Sequence, residues 1–130
     1  MLVLDTNILI YFFKGKGNVA QNMLSTQPKE IAIPAIVLYE LQVGIQKSSS
    51  PRKRKVQLKQ LTDIVKTIPF GSKEAEAAAS IRSKLEKKGV TIGPYDILIA
   101  ATALSGNHTL ITHNTKEFKR INGLKVEDWY

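Results

Sequence analysis

Three short stretches of the 130-residue chain, LVL at 2–4, IAI at 31–33 and TLIT at 109–112, run apolar instead of alternating apolar with polar residues. A strand with one wet face alternates with period two. Strands without alternation are buried on both faces, as in a mostly parallel sheet covered by helices on each side. Helical patterns fill the intervals. Ile8 to Phe13 reads as a helix that stops near Gly15 and Gly17, and Val19, Met23 and Leu24 suggest a second short one. Pro34 suits the first turn of a helix reaching about Lys47. After the joint SSSP at 48–51, a basic helix carries Leu58, Leu61 and Val65 on one face and leads to a strand-like TIPF at 67–70. Ala75, Ala78, Ile81 and Leu85 mark an amphipathic helix ended by Gly89. GPYDILIAATAL at 93–104 is apolar on nearly every side, which puts that helix inside the protein. HNTKEF at 113–118 is a turn into a short helix, and Leu124 to Val126 reads as an edge strand. This alternation predicts an α/β fold with a mostly parallel central sheet and helices on both faces, in one domain spanning residues 1–130.

Three carboxylates are out of place in these apolar segments. Asp5 ends the first strand, at the edge where open α/β sheets bind ligands. Glu40 interrupts AIVLYELQVGI, with Ile36, Val37, Val43 and Gly44 as its helical neighbours. Asp96 lies in the first turn of the most apolar helix, on the face of Ile99, Ala100 and Ala103. Each has an ordinary alternative: Asp5 and Asp96 can cap or favour a helix N-terminus, and Glu40 can sit at a wet rim or in an ion pair. Their combination has another meaning. The end of the first strand and the helices near the second and fourth connections can converge on one edge of a parallel sheet. Three carboxylates converging there repel and titrate upward unless a cation neutralises them. For an all-oxygen ligand set that cation is Mg²⁺ or Mn²⁺, and the chemistry it supports is in-line attack on a phosphate.

A net charge of +8 and a pI near 9.8 favour a polyanionic partner. Lys47, Arg52, Lys53, Arg54, Lys55 and Lys59 hold six of the nineteen basic residues. Arg52, Lys53, Arg54 and Lys55 are therefore candidate residues for binding an RNA-like polyanion, with a solvated helix face as the plainer role. Without cysteine there is no disulfide, thiolate metal site or thiol nucleophile, which is compatible with a reducing cytosol. The N-terminal apolar run is too short for a bilayer and lacks a signal peptide's basic leader, so a cytoplasmic protein without membrane association is expected. GKGNVA at 15–20 satisfies G-x-G-x-x-A, but Glu40 falls inside a helical pattern instead of ending a second strand, and dinucleotide binding is rejected. No phosphate-cradling G-x-x-x-x-G-K-[ST] loop occurs.

Taken in order and spacing, LVLDTNILIYFF, PAIVLYELQVGI, GPYDILIAATAL, LITHNTKEFKRI and GLKVEDWY resemble a PIN-domain ribonuclease, and more closely the VapC toxins of bacterial toxin–antitoxin pairs. The resemblance covers Met1 to Tyr130. It implies a PIN-like, Rossmann-like fold and a Mg²⁺- or Mn²⁺-dependent endoribonuclease that inhibits translation. It also implies a homodimer or larger toxin–antitoxin assembly, neutralised by a cognate VapB antitoxin. Asp5, Glu40 and Asp96 match the family's acidic positions and would bind metal directly or through water. The THNTKEF and EDW blocks are similar to those of toxins that cut initiator tRNA in the anticodon stem-loop. One position departs from the pattern: many PIN domains carry a fourth Asp near residues 113–115, and here the corresponding catalytic position is Asn114. An amide oxygen can bind metal or its water but brings no charge, which weakens the case for a second tightly held ion. Glu117 could substitute, against a helix-capping role. Thr6, Asn7 and Thr112 are candidates to orient ligands or phosphate. His108 and His113 are assigned structural or surface roles, since a metal-activated water needs no imidazole base. The rival reading is a non-catalytic RNA-binding or regulatory PIN module.

Overall fold

In a computed structural model covering residues 1–130, the apolar runs become Leu2–Leu4 (β1), Ile31–Pro34 (β2) and Thr109–Ile111 (β4), joined by Lys66–Ile68 (β3) and Lys125–Glu127 (β5). The strand order is β3-β2-β1-β4-β5 and every neighbouring pair is parallel, so the sheet is wholly parallel. Val3, Leu4, Ala32, Ile33, Leu110 and Ile111 are fully buried, which is what their unbroken apolar runs require. The edge strands carry exposed Lys66 and Lys125, a charge pattern that discourages pairing with another chain's edge.

The helices are Thr6–Lys14 (α1), Val19–Leu24 (α2), Ala35–Gln46 (α3), Pro51–Thr62 (α4), Ser72–Lys87 (α5), Pro94–Ser105 (α6) and Thr115–Phe118 (α7). Several boundaries differ from the sequence expectation: α4 ends at Thr62, so Val65 joins the core from the turn beyond the helix. α1 begins at Thr6, ahead of its first apolar residue, because Asp5 caps it. Pro34 ends β2 with extended backbone and precedes the helix instead of forming its first turn. β3 and β5 are each displaced by one residue at their start, since exposed edge strands leave only a faint pattern. Gly15 closes α1 with a φ of 65°, its N–H reaching the Phe12 carbonyl at 3.2 Å, a conformation that glycine adopts without strain.

α6 is the central helix. Ile97, Ile99, Ala100, Ala101 and Ala103 are buried, and the buried Thr102 hydroxyl donates to the Leu98 carbonyl at 2.9 Å. No helix is long and apolar enough to cross a membrane. The strand order reverses between β1, which continues to β2 and β3, and β4, which continues to β5. In open parallel sheets that reversal opens a crevice beyond the carboxyl ends of the strands. Asp5 and Thr112 stand on either side of it, directly after β1 and β4.

Candidate active site

Asp5 is fixed from two directions. Its backbone N–H donates to the Ile111 carbonyl at 3.1 Å, continuing the β1–β4 ladder, and its Oδ1 accepts from the Ile8 N–H at 2.9 Å as the cap of α1. The capping role is therefore real, and it is also what aims the carboxylate. Asp5 is 6% exposed. Burial pushes its carboxyl above the ordinary aspartate range, the Thr112 hydroxyl and Ile8 N–H pull it back, and the charge of Glu40 raises it again.

Glu40 lies midway along α3, half-buried and without an ion-pair partner. Its Oε1 accepts from the Thr6 hydroxyl at 2.7 Å, tying the first turn of α1 to the centre of α3. Asp96, in the first turn of α6, is pushed up to about 7. Burial is the main cause, followed by the negative charges of Glu117 and Asp5, a hydrogen bond with Glu117, and Glu40. Four acids from four elements thus share one electrostatic field. Glu117 is brought beside Asp96. It lies in the first turn of α7, and the Asn114 side-chain amide donates to its Oε2. Asn114 in turn is held by its backbone N–H, which donates to the Thr112 hydroxyl at 3.0 Å.

No three of the acidic or histidine side chains are drawn close enough to form a ready coordination shell. The donor set nevertheless fits a hard divalent cation. It is all oxygen, and burial and mutual repulsion drive two of its carboxyls toward protonation, a strain that a hydrated cation holding few side chains directly would relieve. Mg²⁺ and Mn²⁺ have that character.

The remaining candidates divide. Asn7 is exposed and offers Asp5 its backbone N–H. Arg52, Lys53 and Lys55 are exposed along α4, whereas Arg54 is half-buried and donates to Gln57 Oε1 at 3.1 Å. Arg54 also lines a cleft of about 310 Å³ with Glu40, Ile10, Phe13 and Leu58, so the four basic residues do not form one patch. His113 pairs with Asp128 at 3.0 Å and stacks on Tyr130 with ring centres 4.1 Å apart. His108 meets the Met1 amine at 2.9 Å. Both are engaged in packing the chain's ends.

Sequence reasoning passed over Tyr39 and Tyr95. Each immediately precedes a pocket acid, and their rings meet with centres 5.7 Å apart and hydroxyls 3.5 Å apart. The Tyr39 hydroxyl and the charge of Glu40 raise the Tyr95 phenol above its ordinary value. The available signal was a repeated aromatic–acid pair, YE and YD, within two helices.

Comparison with known proteins bears on the family and the fold. The PIN domain model matches residues 2–124. The chain is 40% identical over 129 residues to Ribonuclease VapC2 of Rickettsia felis, covering 98% of this chain and 96% of that protein. It is 31% identical over 127 residues to the tRNA(fMet)-specific endonuclease VapC of Shigella flexneri, with the same coverage of 98% and 96%. Among solved structures, a chain of Rickettsia felis VapBC2 bound to a promoter DNA fragment superposes with a TM-score of 0.91 at 38% identity, over 99% of this chain and 98% of that one. A chain of DNA-bound VapBC from Salmonella typhimurium gives 0.92 at 30% identity, with coverage of 99% and 98%.

Proposed function

The chain belongs to the PIN-domain family, in its VapC branch, and from that premise we propose that it is a metal-dependent endoribonuclease toxin that hydrolyses RNA phosphodiester bonds and so inhibits translation. The observation that carries this reading is the shared field of Asp5, Glu40, Asp96 and Glu117 at the switch point of a parallel sheet. A cluster of acids in a protein of net charge +8 is otherwise a liability; beside a cation and a phosphate it is a site. Transfer RNA, initiator tRNA first, is the substrate we assign, supported by the relatives named tRNA(fMet)-specific endonuclease. A VapB-type antitoxin is the assigned partner, supported by the likeness to chains solved within VapBC complexes. A homodimer in the cytoplasm completes the reading.

Mg²⁺ or Mn²⁺, when bound, supplies positive charge that favours both a water nucleophile and the departing oxyanion. This chain's own residues do the rest. The Ile8 N–H sets the direction of the Asp5 carboxylate, and the Thr6 hydroxyl sets that of Glu40. Thr112 fixes the turn that carries Asn114, whose amide in turn steadies Glu117 opposite Asp96. Groups held in this way need no rearrangement as charge develops on the phosphate. The basic surface raises the local concentration of RNA.

The test incubates purified, antitoxin-free protein with tRNA and Mg²⁺ or Mn²⁺, beside Asp96→Asn and an EDTA control. Cleavage confined to the unaltered protein with metal is expected. Undiminished cleavage by Asp96→Asn or in EDTA overturns the metal–carboxylate mechanism. RNA binding with no cleavage of any RNA points instead to a non-catalytic module.

A further inference from the structure

Tyr39 and Tyr95 each sit one residue before an acid of the pocket, Glu40 on α3 and Asp96 on α6. Successive helical residues point about 100° apart, so each tyrosine leaves its helix on a face adjacent to that of its acid, and Tyr95 is near enough to Glu40 to feel its charge. The two rings touch across the helices, tilted by 58° with centres 5.7 Å apart. They nonetheless remain 51% and 44% exposed, and their hydroxyls find only each other, at 3.5 Å. A tyrosine pair that served only to join two helices would bury its rings and direct its hydroxyls to other partners.

A phosphodiester drawn against Asp5, Glu40 and Asp96 brings its nucleobases toward the exposed rings next to these acids. Bases have flat, weakly hydrated faces that stack on aromatic rings largely without regard to sequence. We propose that Tyr39 and Tyr95 form a stacking platform for one unpaired nucleobase beside the scissile phosphate, making them specificity-determining residues for RNA that is single-stranded at the cut. This inference rests on the nuclease reading above. The gap between the ring centres is too narrow to sandwich a base, so the base lies on the open side of the pair. A base inside a duplex has both faces covered and must leave the stack to reach the rings, so paired RNA of the same sequence is a poorer substrate.

The experiment maps the cut on wild-type protein with a short single-stranded RNA, then replaces each flanking nucleotide in turn by an abasic one. At one position the abasic RNA should lose about 5- to 150-fold in kcat/KM, the range that base–aromatic stacking supplies. Tyr39→Ala with Tyr95→Ala should lose a similar factor on intact RNA and suffer no further loss on the abasic RNA. Tyr39→Phe with Tyr95→Phe, which keeps both rings, should recover most of the activity. The inference fails if the abasic loss is the same in wild type and the double alanine variant. It also fails if that variant changes oligomeric state by light scattering while the abasic loss persists, which would make the pair a contact between copies. Wild type that cuts no RNA overturns the nuclease reading itself; cleavage that neither abasic replacement nor the double alanine substitution slows overturns only the platform.

Discussion

Thr6 and Asp5 divide the work of aiming two acids, for Asp5 is held by the helix it caps while Glu40 is held by the hydroxyl of that helix's first residue. Removing such an outer hydrogen bond typically costs 10- to 100-fold in metal affinity or activity, about what Thr6→Val should lose in Mg²⁺-dependent cleavage. Thr6→Ser, which keeps the hydroxyl, should retain most of it, and unchanged metal titrations in Thr6→Val would detach Glu40 from the site. Asp96 gives a second, opposite expectation, for stability. With its carboxyl pushed up to about 7 from an ordinary 3.8, the folded metal-free protein binds a proton that the unfolded chain has released. Stability on this account falls as pH rises through that interval. Asp96→Asn has no charge to bury, so in EDTA it should melt above wild type by a few degrees at about pH 8, with the gap closing toward the ordinary aspartate range. Added Mg²⁺ should narrow the gap from the wild-type side. Equal melting curves in EDTA at both pH values would mean that neither burial nor the neighbouring acids disfavour the Asp96 charge.

At the level of elements, hydrophobic pattern reveals what is buried and misses what is set by polar contacts. The unbroken runs of β1, β2 and β4 and the all-round apolar α6 were legible because burial leaves no other composition open to them. The start of α1 was not, since Thr6 and Asn7 are polar and a cap determines the boundary. Asp5, Glu40 and Asp96 stood out as charges among apolar neighbours, whereas Tyr39 and Tyr95 did not, because a tyrosine in a helix carries no mark of which helix it will meet. Glu74 is another contact of this kind. Its Oε1 accepts from the Gly71 N–H at 2.8 Å at the start of α5, and the Ser105 hydroxyl reaches its other oxygen at 3.4 Å from the end of α6. The Gly71 N–H is the main reason its carboxyl titrates below the ordinary 4.5. A depressed acid stabilises above its unfolded value, and that contribution disappears as pH falls through the folded one. Glu74→Ala should therefore lower the melting temperature slightly at neutral pH and have no effect once the carboxylate is protonated. A pH-independent difference would assign the effect to helix propensity instead.

Across the whole molecule, the order β3-β2-β1-β4-β5 reconciles an acidic pocket with a basic surface. Reversal of the strand order at β1 and β4 gathers the acids at one crevice, while the basic α4, following α3, remains on the outside. Of the exposed cations of α4, Lys59 pairs with Asp63, while Arg52, Lys53 and Lys55 make no ion pair and are free to meet phosphate; Arg54 faces the cleft beside Glu40. Each phosphate contact on single-stranded nucleic acid steepens the dependence of log K on log salt by about 0.7. Replacing Arg52, Lys53 and Lys55 by Gln should thus flatten the RNA-binding slope of the cleavage-inactive Asp96→Asn protein by up to about 2. Arg54→Gln alone should change the slope by less than one contact's worth, because its neighbours in the cleft already include a carboxylate. The measurement is RNA affinity across a salt series in EDTA, where cleavage and metal binding are both absent. An unaltered slope in the triple variant would make α4 a solvated face and move the phosphate contacts elsewhere on the basic surface.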